Sequence, residues 1–212
     1  MPNKDLTDIT FIIDRSGSMG SCRSDAEGGI NEFIRKQREM DGKANLTIIQ
    51  FDTDYEIVCN GKDINEVADY VLSPRGCTAL LDAVGTGIVQ AKERIKAMNK
   101  KDRPGLVIVV IVTDGHENAS KEYTLEQVKQ LIEKRKSKDW QFTFLGASDD
   151  AFDQAGGIGI ARDAVAKYGH RTAKQMMGAV SANVGRMRSA RACDMAVMSN
   201  YTDEERKSMD EE

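Results

Sequence analysis

Leu106–Val112 reads Leu-Val-Ile-Val-Val-Ile-Val, an apolar run without polar alternation that is followed at once by Thr113, Asp114 and Gly115. Such a run is the pattern of a central strand covered by helices on both faces. Outward from it, short apolar and β-branched runs recur at Ile9–Ile13, Leu46–Phe51 and Phe142–Leu145, separated by longer amphipathic stretches. That alternation predicts an α/β fold with a mostly parallel sheet. Residues 45–59 break the pattern, because two strands flank Asp52, Thr53 and Asp54 with too little chain between them for a parallel crossover. A hairpin is expected there, with one antiparallel strand at a sheet edge. A weaker strand candidate spans Ile160–Ala166.

The intervening stretches carry helical stripes. Cys22, Ala26, Ile30, Phe33 and Ile34 share one face, as do Leu80, Val84, Ile88, Ala91, Ile95 and Met98. Thr124 with Gln127 forms a capping-box pattern that opens a helix to residue 136, turning Leu125, Val128, Leu131 and Ile132 to the sheet. After Gly146 comes a short helix candidate, then a break at Gly156 and Gly157. A last helix is expected over about 172–198, with Ala173, Met176, Met177, Val180, Val184 and Met187 docked on the sheet. Arg186, Arg188 and Arg191 near its end are read as a solvated or salt-bridged face that meets the acidic tail. We expect one domain over residues 1–200 and a disordered acidic tail over 201–212.

Composition narrows the function. A chain of 212 residues with 40% hydrophobic content can bury a sizeable core. Thirty Lys plus Arg against 34 Asp plus Glu leave a net charge of −4, which does not favour nucleic acid. No apolar run reaches the roughly 18 to 20 residues that span a bilayer, and the first residues lack a secretory signal, so no membrane and a cytoplasmic setting are expected. Cys22, Cys59, Cys77 and Cys193 are too scattered for a zinc site and are read as reduced thiols. With His116 and His170 as the only histidines, a multi-histidine metal centre is ruled out.

In an open parallel sheet, ligands bind beyond the carboxyl ends of the strands, where the strand order reverses. After the first strand stands Asp14-Arg15-Ser16-Gly17-Ser18, a carboxylate and two hydroxyls at alternate positions around a permissive glycine. After the central strand stands Asp114, and Thr78 precedes an amphipathic helix in Gly76-Cys77-Thr78-Ala79-Leu80. Each piece alone is an ordinary turn or cap. Together, hydroxyls and two carboxylates without thiolate or imidazole suit Mg²⁺ or Mn²⁺ rather than zinc or copper.

These three segments resemble the metal-ion-dependent adhesion site of the von Willebrand factor type A domain, a likeness that runs over roughly residues 5–170. The resemblance implies a Rossmann-like three-layer α/β/α sandwich, its sheet of about six strands mostly parallel with one antiparallel edge strand. It implies one divalent ion, with Ser16 and Ser18 as direct ligands and Thr78 direct or water-mediated. Asp14 and Asp114 would act largely through waters and hydrogen bonds. One coordination position would be left for an Asp or Glu of a protein partner, which makes the activity adhesion rather than catalysis. Cys77 departs from the family pattern, where a second glycine often precedes the threonine. The chain is similar to small stand-alone members from bacteria and their phages, which implies host cytoplasm or virion as its setting. Such members often work beside AAA-type ATPases, although no nucleotide-binding loop occurs here.

Other functions fit less well. A metal-dependent phosphatase of the haloacid-dehalogenase type needs a second acid two residues after Asp14, and that position is Ser16. A serine hydrolase lacks its nucleophile elbow. A structural component of a phage particle, without metal-dependent binding, stands as the alternative. Arg15, Asp52, Asp54, Arg75, His116, Glu117 and Asn118 are candidates for reading a partner around the ion, or else solvated loop residues. Asp82 is expected in the first turn of its helix, as a dipole complement or behind the ligands.

Overall fold

The computed structural model describes residues 1–147, 150–168 and 172–210. His170, Ser148, Asp149 and the final Glu211 and Glu212 lie outside the described residues. Six strands form a single sheet in the order β3-β2-β1-β4-β5-β6. They are β1 (Asn3–Asp14), β2 (Lys43–Phe51), β3 (Tyr55–Asp63), β4 (Pro104–Thr113), β5 (Gln141–Gly146) and β6 (Val165–Lys167). All pairs are parallel except β2 with β3, the hairpin edge expected from Asp52–Asp54. The chain moves outward from β1 to β2 and β3, then crosses back to β4 on the other side of β1. The order therefore reverses between β1 and β4, and this is the crevice where a doubly wound sheet offers its binding site.

Helices cover both faces. On one, α1 (Arg23–Arg38) and α5 (Ala173–Ala192) pack on Ile9, Phe11 and Ile13 of β1 and on Leu106, Ile108, Val110 and Val112 of β4. On the other, α2 (Leu80–Ala97), α3 (Leu125–Lys136) and α4 (Ala151–Gly157) meet Ile12, Val107, Val109 and Ile111. Adjacent β4 residues thus enter opposite cores, which explains a run with no polar alternation. Phe11 and Phe33 meet edge to face at 4.8 Å. A Cβ on Gly29 would lie 2.7 Å from Met177 Cγ, so the absence of a side chain there lets α1 and α5 approach closely.

The capping box forms as predicted, with Thr124 accepting from the Gln127 amide and Gln127 accepting from the Thr124 amide. Leu125, in contrast, is half exposed, while Val128 and Ile132 carry the burial. The strand expected over 160–166 is shorter and later, because residues 162–164 turn as a 3-10 helix before β6. The last long helix stops at Ala192 rather than near 198.

The expected disordered tail is corrected over its described part, where Asp203–Asp210 form a further helix, α6. It is tied down at several points. Thr202 Oγ1 accepts from the Glu205 amide, and Glu205 accepts from the Thr202 amide. Met209 is fully buried, Tyr201 Oη meets Thr143 Oγ1 at 2.7 Å, and Arg206 donates to the carbonyls of Val165 and Asp163. Arg186 pairs with Glu205 at 2.7 Å, so the basic end of α5 does meet the acidic segment. Arg188 is buried instead, donating to carbonyls of Gln37, Asp41 and Gly42.

Candidate metal centre at the strand switch

Asp14 ends β1 and Thr113 ends β4, and these strands are neighbours in register up to Ile13 and Val112. Backbone pairing alone thus brings the first and central loops together. The Asp14 carboxylate is wholly buried and accepts from the Ser16 amide at 2.6 Å and from Thr113 Oγ1 at 2.6 Å. Burial pushes its carboxyl up to about 6, against the two hydrogen bonds, and the nearby charge of Asp114 pushes the same way. Among the described residues both partners are neutral, and a buried carboxylate so placed lacks a compensating cation.

The remaining oxygens gather beside it. Gly17–Cys22 form a 3-10 turn that folds Ser18 back, bringing its Oγ within 3.0 Å of Ser16 Oγ. Ser18 Oγ donates to Asp114 Oδ1 at 2.7 Å. Thr78 arrives from the loop before α2. A Cβ added to Gly115 would lie 3.0 Å from Thr78 Oγ1 and 3.9 Å from Asp14 Oδ2, so this glycine keeps a small cradle open between them. All the residues singled out in the sequence, Asp14, Ser16, Ser18, Thr78 and Asp114, are therefore neighbours at one end of the sheet. Asp14, Ser16 and Thr78 are buried, Asp114 is half-buried and Ser18 is exposed, so the cluster opens on one side.

The donor set consists of hydroxyl and carboxylate oxygens, which fits a hard divalent cation and not a soft one. No group of three or more His, Cys, Asp or Glu side chains with metal-holding geometry occurs among the described residues. His116 stands apart, exposed and 3.1 Å from Asp150.

Several residues considered as partner readers instead fix the loops. Arg15 is buried and bridges Asp52 at 2.8 Å and Glu56 at 2.8 Å, and Asp52 also receives Arg75 at 2.8 Å. The flanking charges hold the Asp52 carboxyl below its ordinary range despite its burial. Backbone bonds from Arg75 N to Arg15 O and from Gly17 N to Gly76 O join the first and second loops. Gly76 has φ +70, and a Cβ there would lie 2.8 Å from Thr53 Oγ1. Cys77 is exposed and its amide donates to Thr53 Oγ1 at 3.1 Å.

Thr78 does not cap α2, since the helix begins beyond it with Ala79 in the cap position. Its amide donates to Asn118 Oδ1, and the Asn118 amide donates back to Thr78 O, both at 3.0 Å. The open amides of α2 are met from the loop after Asp114. Glu117 accepts from Leu81 N at 2.9 Å and Ser120 Oγ from Asp82 N at 3.1 Å. Asp82 reciprocates by accepting from the amides of Lys121, Glu122 and Tyr123. The Thr78 and Asp114 loops are thus locked together. Sequence reading missed this pairing, because its partners are some forty residues apart and only the Asp82 charge was visible.

No curated protein sequence matches the chain. Solved structures match in fold. Proximal thread matrix protein 1 from the mussel byssus superposes with a TM-score of 0.59 at 15% identity, over 85% of this chain and 46% of that one. The same protein with a zinc-occupied MIDAS motif gives 0.57 at 16% identity, over 85% and 46%. Manganese-loaded TRAP protein from Plasmodium vivax gives 0.55 at 14% identity, over 81% and 72%. The chain thus spans less than half the length of the mussel protein. The model of the von Willebrand factor type A domain matches residues 8–179. With the sheet order, the reversal point and that match in hand, the chain belongs to the von Willebrand factor type A domain family.

Proposed function

We propose that this domain is a metal-dependent protein-interaction module. Asp14, Ser16, Ser18, Thr78 and Asp114 would hold one Mg²⁺ or Mn²⁺, and a partner protein would present an Asp or Glu to it. The observation that carries the reading is the wholly buried Asp14 carboxylate beside Asp114 and three hydroxyls. A divalent ion would supply the missing positive charge and an electrophilic position for a carboxylate. The chain's own residues divide the remaining work. Asp14 fixes the Ser16 amide and the Thr113 hydroxyl, Asp114 orients Ser18, and Asn118 orients the Thr78 backbone. Ser18, exposed at the opening, borders the path by which a partner enters.

Related solved structures, one zinc-occupied and one manganese-loaded, support a divalent ion without distinguishing Mg²⁺ from Mn²⁺. An interaction role is favoured over phosphoryl transfer because Ser16 stands where that chemistry needs an acid. A cytoplasmic or virion setting and an AAA-type ATPase partner belong to the same proposal. The test is calorimetric titration of Mg²⁺ and Mn²⁺ into chelator-treated wild type and into the double variant Asp14→Ala, Ser16→Ala, with folding checked by circular dichroism. Saturable binding lost in the variant supports the site. A folded wild type that takes up neither ion moves the function to passive assembly.

A further inference from the structure

Helix α2 ends at Ala97 and the chain enters β4 at Pro104, while α3 ends at Lys136 and the chain enters β5 at Gln141. Because β4 and β5 are parallel neighbours, both helix ends lie at the end of the sheet remote from the metal centre. The first holds Lys100, Lys101 and Arg103 against Asp102. The second holds Lys134, Arg135, Lys136 and Lys138 against Asp139. Cations complement the negative ends of helices, and some of these are engaged locally. Arg103 donates to the carbonyls of Met98 and Lys96, Lys136 donates to Gly159 O, and Arg135 lies over Trp140. Lys100, Lys101, Lys134 and Lys138 are exposed, and among the described residues their ammonium groups make no hydrogen bond or ion pair.

Apolar side chains are exposed on the same pole. The segment after α5 begins beneath β1, where Asp194 accepts from Lys4 Nζ at 2.6 Å. It reaches the start of β5, where Ser199 lines a small cleft of about 100 Å³ with Lys136, Trp140 and Gln141. Between these points Met195 and Met198 are each 64% exposed. The acids nearby are partly matched, Asp194 by Lys4 and Glu93 by Lys92 and Lys96. Asp5, Asp102, Glu133 and Asp139 remain against the larger set of cations on the two helix ends. Trp140 is buried, and among the described residues no exposed large apolar side chain is aromatic, so nucleic-acid bases would find no stacking surface. A phosphate backbone would use the lysines and leave the methionines idle. An anionic bilayer uses both, its headgroups meeting ammonium groups while flexible thioether chains enter the boundary with the acyl region.

We propose that this pole is a peripheral docking face for an anionic phospholipid membrane. The ten residues of β4 span about 33 Å, so the metal centre at the far end of that strand stays clear of the lipid and faces solution. Membrane docking and metal binding are then independent properties of opposite ends. The sequence expectation of no membrane rested on the lack of a spanning segment. Among the described residues no helix is long and apolar enough to cross a bilayer, but a face that lies on lipid needs none.

The test is co-sedimentation of the full chain with vesicles, in chelator so that no ion bridges the metal centre to headgroups. The vesicles are phosphatidylcholine alone, or equal parts phosphatidylcholine and phosphatidylglycerol. Wild type should partition onto the anionic vesicles only, and inorganic phosphate at matched ionic strength should not compete. Lys134→Glu with Lys138→Glu should weaken partitioning at least tenfold. Met195→Ser with Met198→Ser should weaken it roughly threefold or more. All four side chains are exposed, so both variants should keep the circular dichroism of wild type. Lys121→Glu with Lys174→Glu makes the same change in net charge away from this pole and should partition nearly as wild type does. Wild type that ignores anionic vesicles, or binds neutral ones as well, overturns the inference. So does a lysine or methionine variant that partitions as wild type does, or a Lys121 and Lys174 pair that weakens binding equally. Duplex DNA bound more tightly than vesicles in the same buffer overturns it in favour of nucleic acid.

Discussion

Replacing Asp14 by asparagine separates the cost of the site from its use. The substitution keeps the side-chain shape and removes the charge. The new side-chain carbonyl would still accept from the Ser16 amide, and the new NH₂ group would donate to Thr113 Oγ1. The Thr113 hydroxyl then turns its proton to Gly115 O, already 3.3 Å away. Burial raises the Asp14 carboxyl from 3.8 to about 6, a rise of about two pH units, worth ~3 kcal/mol at most. The sign follows from proton uptake. Between 3.8 and about 6 the folded state holds the proton more tightly than the unfolded one, so metal-free wild type loses stability as pH rises through that window. The full cost is present above about pH 6 and absent below 3.8. In chelator at pH 7, Asp14→Asn should therefore be the more stable protein, by roughly 5–10 °C in melting temperature for a chain of this size. At pH 4 the gap should close. In Mg²⁺ at a thousand times its Kd the order should reverse, because wild type gains about 4.1 kcal/mol and the variant almost none. Thermal melts in chelator and in Mg²⁺ at both pH values measure all three differences. A variant less stable than wild type in chelator at pH 7, or one that Mg²⁺ stabilises equally, would refute the reasoning.

Three further outcomes follow from the loops and the last helix. Asp82→Ala leaves the amides of Lys121, Glu122 and Tyr123 without their acceptor and should cost about 2–4 kcal/mol in urea unfolding, with weaker Mn²⁺ uptake by calorimetry. Gly76→Ala meets both the positive φ and Thr53 Oγ1 and should cost about 1–3 kcal/mol, whereas exposed Cys77→Ser should stay within about 0.5 kcal/mol in the same melts. Met209→Ala empties a fully buried position and should cost about 2–5 kcal/mol by denaturant titration, which a frayed tail would not show.

The fold was legible where pattern and geometry coincide. Leu106–Val112 reads as a central strand because its side chains enter two cores alternately, and the Asp52–Asp54 hairpin follows from chain length alone. The grouping of Asp14, Ser16, Ser18, Thr78 and Asp114 was legible because each follows a strand or precedes a helix at the same end of the sheet. Interactions between distant loops were not. Nothing near Asn118 announces that it holds Thr78, and nothing near Arg188 announces that it is buried under the turn after α1. Charge misled in the tail, where the acidic run outweighed a signal that was present. Thr202 and Glu205 have the same capping spacing that correctly opened α3 at Thr124 and Gln127.

The docking of α6 bears on how the chain behaves in a crowded solution. β6 is only three residues long and closes one side of the sheet, and the Arg206 guanidinium occupies the carbonyls of Val165 and Asp163 beside it. An uncovered strand margin is a template on which another chain can pair. At the opposite margin β3 relies on irregular register against β2 to discourage such pairing. A chain shortened before Thr202 would keep its metal-site loops and yet bare that margin as a template for pairing with its own copies.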